Sequence, residues 1–179
     1  MSKFLEDLLT AEKRAVDAKL CLHSKKEAPK VIFNDLVANP KQAKEYEQMI
    51  LKRPDRKFLG VVEYCFSGMR FKLRLEGENR YVSFSLLGVK TLQSDKNQPA
   101  LTAFANEALA FAKDHLLQRD VSVEIFYADK RGTFYGTILT PSKQDYSLKL
   151  IAEGLAQIHT VGNDKRLPSN FSQLEEAEE

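Results

Sequence analysis

Residues 84–93 read FSLLGVKTLQ, a hydrophobic strand that runs into a turn and delivers Ser85, Lys90, Thr91 and Gln93. Two hydroxyls, an ammonium and an amide can hold an anion or orient a polar ligand. They cannot activate water, which needs a positioned basic group, most often an imidazole or a carboxylate. Cations gather in two further places. Arg70, Lys72 and Arg74 alternate along MRFKLRLEG, and with Tyr81 they form a basic stripe carrying an aromatic. Single-stranded nucleic-acid binders use that pairing. Lys130 and Arg131 fall in a turn, YADKRGTF. The plain alternatives are that an outward strand face must be polar and that turns carry charge for solubility. Lys52, Arg53, Arg56 and Lys57 surround Pro54 as an exposed connector. His23, His115 and His159 are far apart and lack ligand spacing. The two cysteines, Cys21 and Cys65, form no CxxC, so neither a zinc site nor a disulfide framework is expected.

The elements that must position these groups follow from periodicity. SKFLEDLLTAEKRAVDAKL places Phe4, Leu8, Ala11, Ala15 and Leu20 near helical spacing, with Ser2 as its N-cap. CLHSKKEAPK reads as an extended lead-in, and Pro40 then starts a second helix closed off by Pro54. From Lys57 the period drops to two. Phe71, Leu73 and Leu75 point inward and Arg70, Lys72 and Arg74 outward, a turn forms at Gly77–Asn79, and Val82, Phe84 and Leu86 resume the inward face. Over residues 99–117 the period is helical again, and Leu101, Phe104, Ala108 and Ala112 are the expected contact with the sheet. DVSVEIFYADKRGTFYGTIL is a hairpin turning at Asp129–Gly132. YSLKLIAEG is a short helix stopped by Gly154, AQIH a last strand, and SNFSQLEEAEE the start of a capped helix.

Composition limits the partners. Lys+Arg number 27 against 25 Asp+Glu, so any basic surface is local. At 43% hydrophobic and 29% charged, the chain has the makings of a packed core. No signal peptide or membrane span is read, and reduced thiols point to the cytoplasm, with the nucleus also open.

Three strands, a helix, two strands and a short helix give a mainly β fold with helices (α+β): a five-stranded OB-type Greek-key barrel over about residues 58–160, with an N-terminal helical extension. The stretches VVEYCFSGMRFKL, FSLLGVKTLQ, EALAFAKDHLLQRDVSVEI, DKRGTFYGTI and LIAEGLAQIH resemble, in order and spacing, the blocks of staphylococcal-nuclease-like domains. The upstream LLTAEKRA and LHSKKEAP resemble the segment before the fourth such repeat of the Tudor staphylococcal nuclease (Tudor-SN) family. The resemblance implies three parts: residues 1–56 a helical lead-in and linker from a preceding repeat, 57–167 the nuclease-like domain, and 168–179 the start of a truncated helix.

The same resemblance locates a catalytic site and implies that it is degenerate. Where active members carry two aspartates around the glycine of the first hairpin, Ser67 and Met69 flank Gly68. Ser85 stands where the first catalytic arginine would be. Lys90 stands for a metal-binding aspartate, Gln93 for the general-base glutamate, and Thr133 for the second arginine, after Asp129, Lys130, Arg131 and Gly132. Thr91 alone matches. Two nucleotide-flanking tyrosines are replaced by Thr160 and Gly162. Calcium needs hard oxygen ligands, and a Lys90 head about 4 Å from a dication would be repelled by roughly 8 kcal/mol at an effective dielectric near 20.

The expectation is therefore a pseudo-nuclease with no catalytic residue, no metal and no cofactor. It would serve RNA binding and scaffolding in silencing complexes, RNA decay and transcriptional coactivation, beside neighbouring nuclease-like and Tudor domains and partner proteins. Its candidate phosphate contacts are Arg70, Lys72, Lys90, Lys130 and Arg131. The alternatives are RNA cleavage by this or other repeats of the full-length protein, and a purely protein-binding module.

Overall fold

The computed structural model describes residues 3–24, 32–94, 98–159, 174, 176 and 177. It forms two compact units, Met1–Ile32 and Phe33–Glu179. The first holds helix α1 (Lys3–Asp17) and a single 3-10 turn at Cys21–His23. The large apolar residues of α1, Phe4, Leu5, Leu8, Leu9 and Val16, are exposed. The expected cap, Ser2, lies outside the described residues, as do Thr160 and Gly162.

The second unit begins with a two-residue strand, β1 (Asn34–Asp35), and helix α2 (Pro40–Leu51). Asn39 caps α2, its side chain accepting the Gln42 N–H at 3.3 Å, and Pro40 supplies a φ already set for a first turn. Ala43, Tyr46, Glu47 and Ile50 recur at helical spacing and are all buried. The expected boundary at 56/57 therefore separates α2 from the core it helps to fill. The compact unit instead begins at Phe33.

Three antiparallel strands follow, β2 (Lys57–Cys65), β3 (Arg70–Leu75) and β4 (Arg80–Leu86). After β5 (Val89–Thr91) and helix α3 (Pro99–Leu116), β6 (Asp120–Ala128) pairs with β2. Then β7 (Thr133–Leu139) pairs antiparallel with β6 and parallel with β4. That last pairing closes the order β4-β3-β2-β6-β7 into a five-stranded OB-type barrel. Helix α4 (Tyr146–Ala152) and strand β8 (Ala156–Ile158), which pairs with β5, complete the described elements up to residue 159.

The inward residues are the expected ones. Phe71, Leu73, Leu75, Val82 and Phe84 are fully buried and Leu86 nearly so, joined by Val123, Ile125, Phe134 and Ile138. The contact face of α3 differs from expectation. Ala108, Ala112 and Leu116 are buried, whereas Leu101 is only half-buried and Phe104 is 52% exposed. At about 100° per residue, Phe104 stands roughly 120° round the helix from Leu116, off the buried stripe. Two of its three residues are alanines, and at Ala108 the backbone of the β2–β3 turn comes close. A Cβ on Gly68 would stand 2.8 Å from the Ala108 Cβ. Leu174, in the segment expected to start a truncated helix, is fully buried in the same core. No helix among the described residues is long and apolar enough to cross a membrane.

Candidate nucleic-acid interface

A cavity of about 520 Å³ opens between the β2–β3 hairpin, the β6–β7 hairpin, the outer faces of β4 and β7, and α3. The first hairpin supplies Phe66, Ser67, Met69 and Arg70, and the second Asp129 and Arg131. Ser85, Thr133 and Tyr135 come from β4 and β7, with Thr91, Leu92, Gln93 and Ser94 from the chain at and after the end of β5. Ala105, Asn106 and Leu109 form the α3 wall.

Strand register explains the arrangement. Arg70 lies opposite Ser85 across β3 and β4, and Ser85 lies opposite Tyr135 across β4 and β7, so the three are lateral neighbours. Ser85, Thr91 and Thr133 are buried, leaving short hydroxyl side chains where longer ones would fill the space. The hairpin tips are tied by their own side chains. Ser67 Oγ accepts the N–H groups of Met69 and Arg70 at 3.3 and 3.2 Å. Asp129 Oδ1 accepts those of Arg131 and Thr133 at 2.9 and 2.8 Å, in a turn completed by Gly132 at φ +82°. Only glycine takes that backbone region without strain. Tyr135 stacks on Tyr127 at 5.0 Å. Burial, then the Asp129 charge and a hydrogen bond to it, raise the Tyr135 phenol above its ordinary value.

Among the described residues the cations lining the cavity are Arg70 and Arg131, and the carboxylate is Asp129. The other candidate cations stand elsewhere. Lys72 pairs with Asp35 at 2.7 Å and lies 4.7 Å over the Tyr81 ring. Arg74 pairs with Glu63 at 2.9 Å, 5.9 Å from the Phe33 ring. Residues 33–35 thus run along the basic stripe beyond Arg70, with Asp35 paired to Lys72 and Phe33 against Tyr81 and Arg74. Lys90 is exposed on β5 opposite Gln157, and Lys130 is exposed in its turn, both outside the cavity lining. His115 stacks on Phe111 at 4.0 Å. Of the degenerate positions, Ser67, Met69, Ser85, Thr91, Gln93 and Thr133 converge on the cavity.

Phe66 and Tyr135 are not among the residues that the sequence singles out. The alternation of TFYGTIL puts Tyr135 outward beside Thr133, which was a usable signal. Phe66 at a strand end next to buried Cys65 looks like any core residue.

The donor set does not fit calcium. Six to eight hard oxygens are needed. The cavity offers one carboxylate, with Oδ1 already accepting two N–H bonds, flanked by two guanidiniums and the Met69 thioether. Among the described residues no group of three or more His, Cys, Asp or Glu could hold a metal ion. An anion fits better, since guanidinium forks match phosphate geometry.

A family model described as staphylococcal nuclease homologue matches residues 83–179, from β4 onward. Ribonuclease TUDOR 1 of Arabidopsis thaliana is 33% identical over 99% of this chain, and Ribonuclease TUDOR 2 of the same plant 32% over 93%. Staphylococcal nuclease domain-containing protein 1 of Drosophila melanogaster is 32% identical over 88%. The chain spans 16–18% of the length of these relatives.

Proposed function

The chain belongs to the staphylococcal nuclease homologue family, and on that premise we propose that it is a catalytically degenerate repeat of a larger Tudor-SN-type protein, binding RNA through phosphates. One observation carries this reading. The cavity is lined by both Arg70 and Arg131 and by the small hydroxyl residues Ser67, Ser85, Thr91 and Thr133, with an amide, Gln93, where the family resemblance implies a general base. Both hairpin loops that bind oligonucleotides in OB folds contribute to it. In the full-length protein the repeat adds to the affinity of its neighbours by effective concentration. It acts there as an RNA-binding scaffold for silencing, decay and transcriptional coactivation, in cytoplasm and nucleus.

The test is a titration of the chain with calcium and single-stranded RNA, cleavage followed alongside binding. Expected are no cleavage and weak binding, which loses about 0.7 log unit of affinity per contacted phosphate for each decade of salt. The paired reversal Arg70→Glu/Arg131→Glu abolishes it. Calcium-dependent cleavage overturns the degenerate reading. Affinity indifferent to salt and to the reversal indicates a protein-binding scaffold instead.

A second reading, ribonuclease activity of the full-length protein, is favoured by the names of the two plant relatives. It would need catalytic groups from other repeats.

A further inference from the structure

The cavity has an apolar lip that its phosphate-binding role does not use. Phe66 lines the cavity and is 48% exposed, and Tyr64, 54% exposed, packs edge-on against it with ring centroids 5.1 Å apart at 64°. Leu92, on the same lining, is also exposed. Two large aromatics left in water beside two arginines are the components of a single-strand site, in which cations follow the backbone and rings take the bases. The Phe66 N–H donates to the Arg70 carbonyl at 2.8 Å, so ring and guanidinium are borne by one locked hairpin end. Tyr81, the aromatic that sequence pairs with the basic stripe, is engaged already. Lys72 lies 4.7 Å over its ring and Phe33 packs 5.2 Å away.

Building on the RNA-binding reading above, we propose that Phe66, buttressed by Tyr64, is a stacking platform for an unpaired base of single-stranded RNA whose phosphate lies between Arg70 and Arg131. The cationic cavity selects the anionic strand and the exposed ring selects an unpaired base. A base inside a duplex is already stacked on both faces and has none free. The platform explains how this domain can prefer single strands although neither nucleotide-flanking tyrosine position holds an aromatic. Stacking is tolerant of base identity, so the site discriminates strandedness rather than sequence.

The experiment is fluorescence anisotropy on the whole 179-residue chain. The probes are a labelled oligoadenylate of about ten nucleotides, within the span of one OB fold, and a blunt RNA duplex of matching length. Phe66→Ala should weaken the single strand about tenfold, and Tyr64→Ala less. Phe66→Tyr should retain binding, which separates a lost ring from a disturbed hairpin, and the duplex should bind more weakly and ignore Phe66→Ala. If Arg70→Glu/Arg131→Glu abolishes binding while Phe66→Ala and Tyr64→Ala change nothing, the platform is wrong and the RNA reading stands. Equal affinity for strand and duplex also overturns the platform. If the unaltered chain binds neither probe, the RNA reading fails and the platform with it.

Discussion

Asp129 opposes the two cavity arginines in charge and supports one of them, Arg131, in geometry. Its Oδ1 accepts the Arg131 and Thr133 N–H groups and so shapes the turn that carries Arg131. Asp129→Asn keeps an acceptor oxygen and removes the charge. Oligonucleotide affinity at low salt should then rise about threefold, the scale of one partly exposed charge. The gain should shrink at higher salt, as anisotropy in both conditions would show; an unchanged affinity would mean that no phosphate comes near this turn. Cys65 makes a separate prediction. Burial pushes its thiol up to about 11, the Lys113 charge pulling weakly the other way, while Cys21 is exposed. The thiolate is the reactive form. At mildly alkaline pH a thiol-reactive disulfide reagent should therefore label Cys21 in the native chain, and Cys65 only after denaturation.

Among the elements, α2 shows most clearly what ties the lead-in to the barrel. The buried Glu47 carboxylate accepts the Ala128 N–H at 2.7 Å, at the end of β6, and meets Lys44 at 2.8 Å. Glu47→Leu would fill similar space but leave a buried N–H without a partner, which costs about 1–3 kcal/mol. Glu47→Gln, still an acceptor, should cost less, and denaturant unfolding of the two variants checks the order. These links also mark what sequence could show. The strands were legible because Phe71, Leu73 and Leu75 alternate with cations. Closure into a barrel followed from the order of the elements, but the pairing that closes it did not, because β4 and β7 pair in parallel across about fifty residues, with nothing local to signal it. The same alternation put Lys72 and Arg74 outward but could not show Asp35 and Phe33 arriving from far upstream. The convergence of positions 67, 69, 85, 91, 93 and 133 was legible only through a family resemblance. The aromatic lip at Phe66 was hidden because exposure at a strand end leaves no trace in periodicity.

At the scale of the whole molecule the question is how much chain the barrel needs. Asp35 is one part of the answer. Its burial raises the carboxyl pKa, but the Lys72 hydrogen bond, the Val37 N–H and the lysine charge together hold it below the ordinary value. A lowered folded pKa means the contribution is present above the unfolded value and is lost as pH falls through the folded one. For so exposed a pair it amounts to about 0.5 kcal/mol, so Asp35→Asn should lower stability slightly at neutral pH and converge with the parent chain in strong acid. The larger part is α2. Ala43, Tyr46 and Ile50 are buried in the common core along with Leu36. Tyr46, Ile50 and Leu36 each contribute about 2 kcal/mol by apolar burial. Together that approaches the whole stability of a small domain, about 5–15 kcal/mol. A chain starting at Phe33 should keep a single cooperative thermal transition by circular dichroism. One starting at Lys57 leaves the Ala128 N–H and the surface under α2 uncovered, and should melt far lower or without cooperativity. A chain from Lys57 that unfolds like its parent would show that α2 rests on the barrel without holding it together.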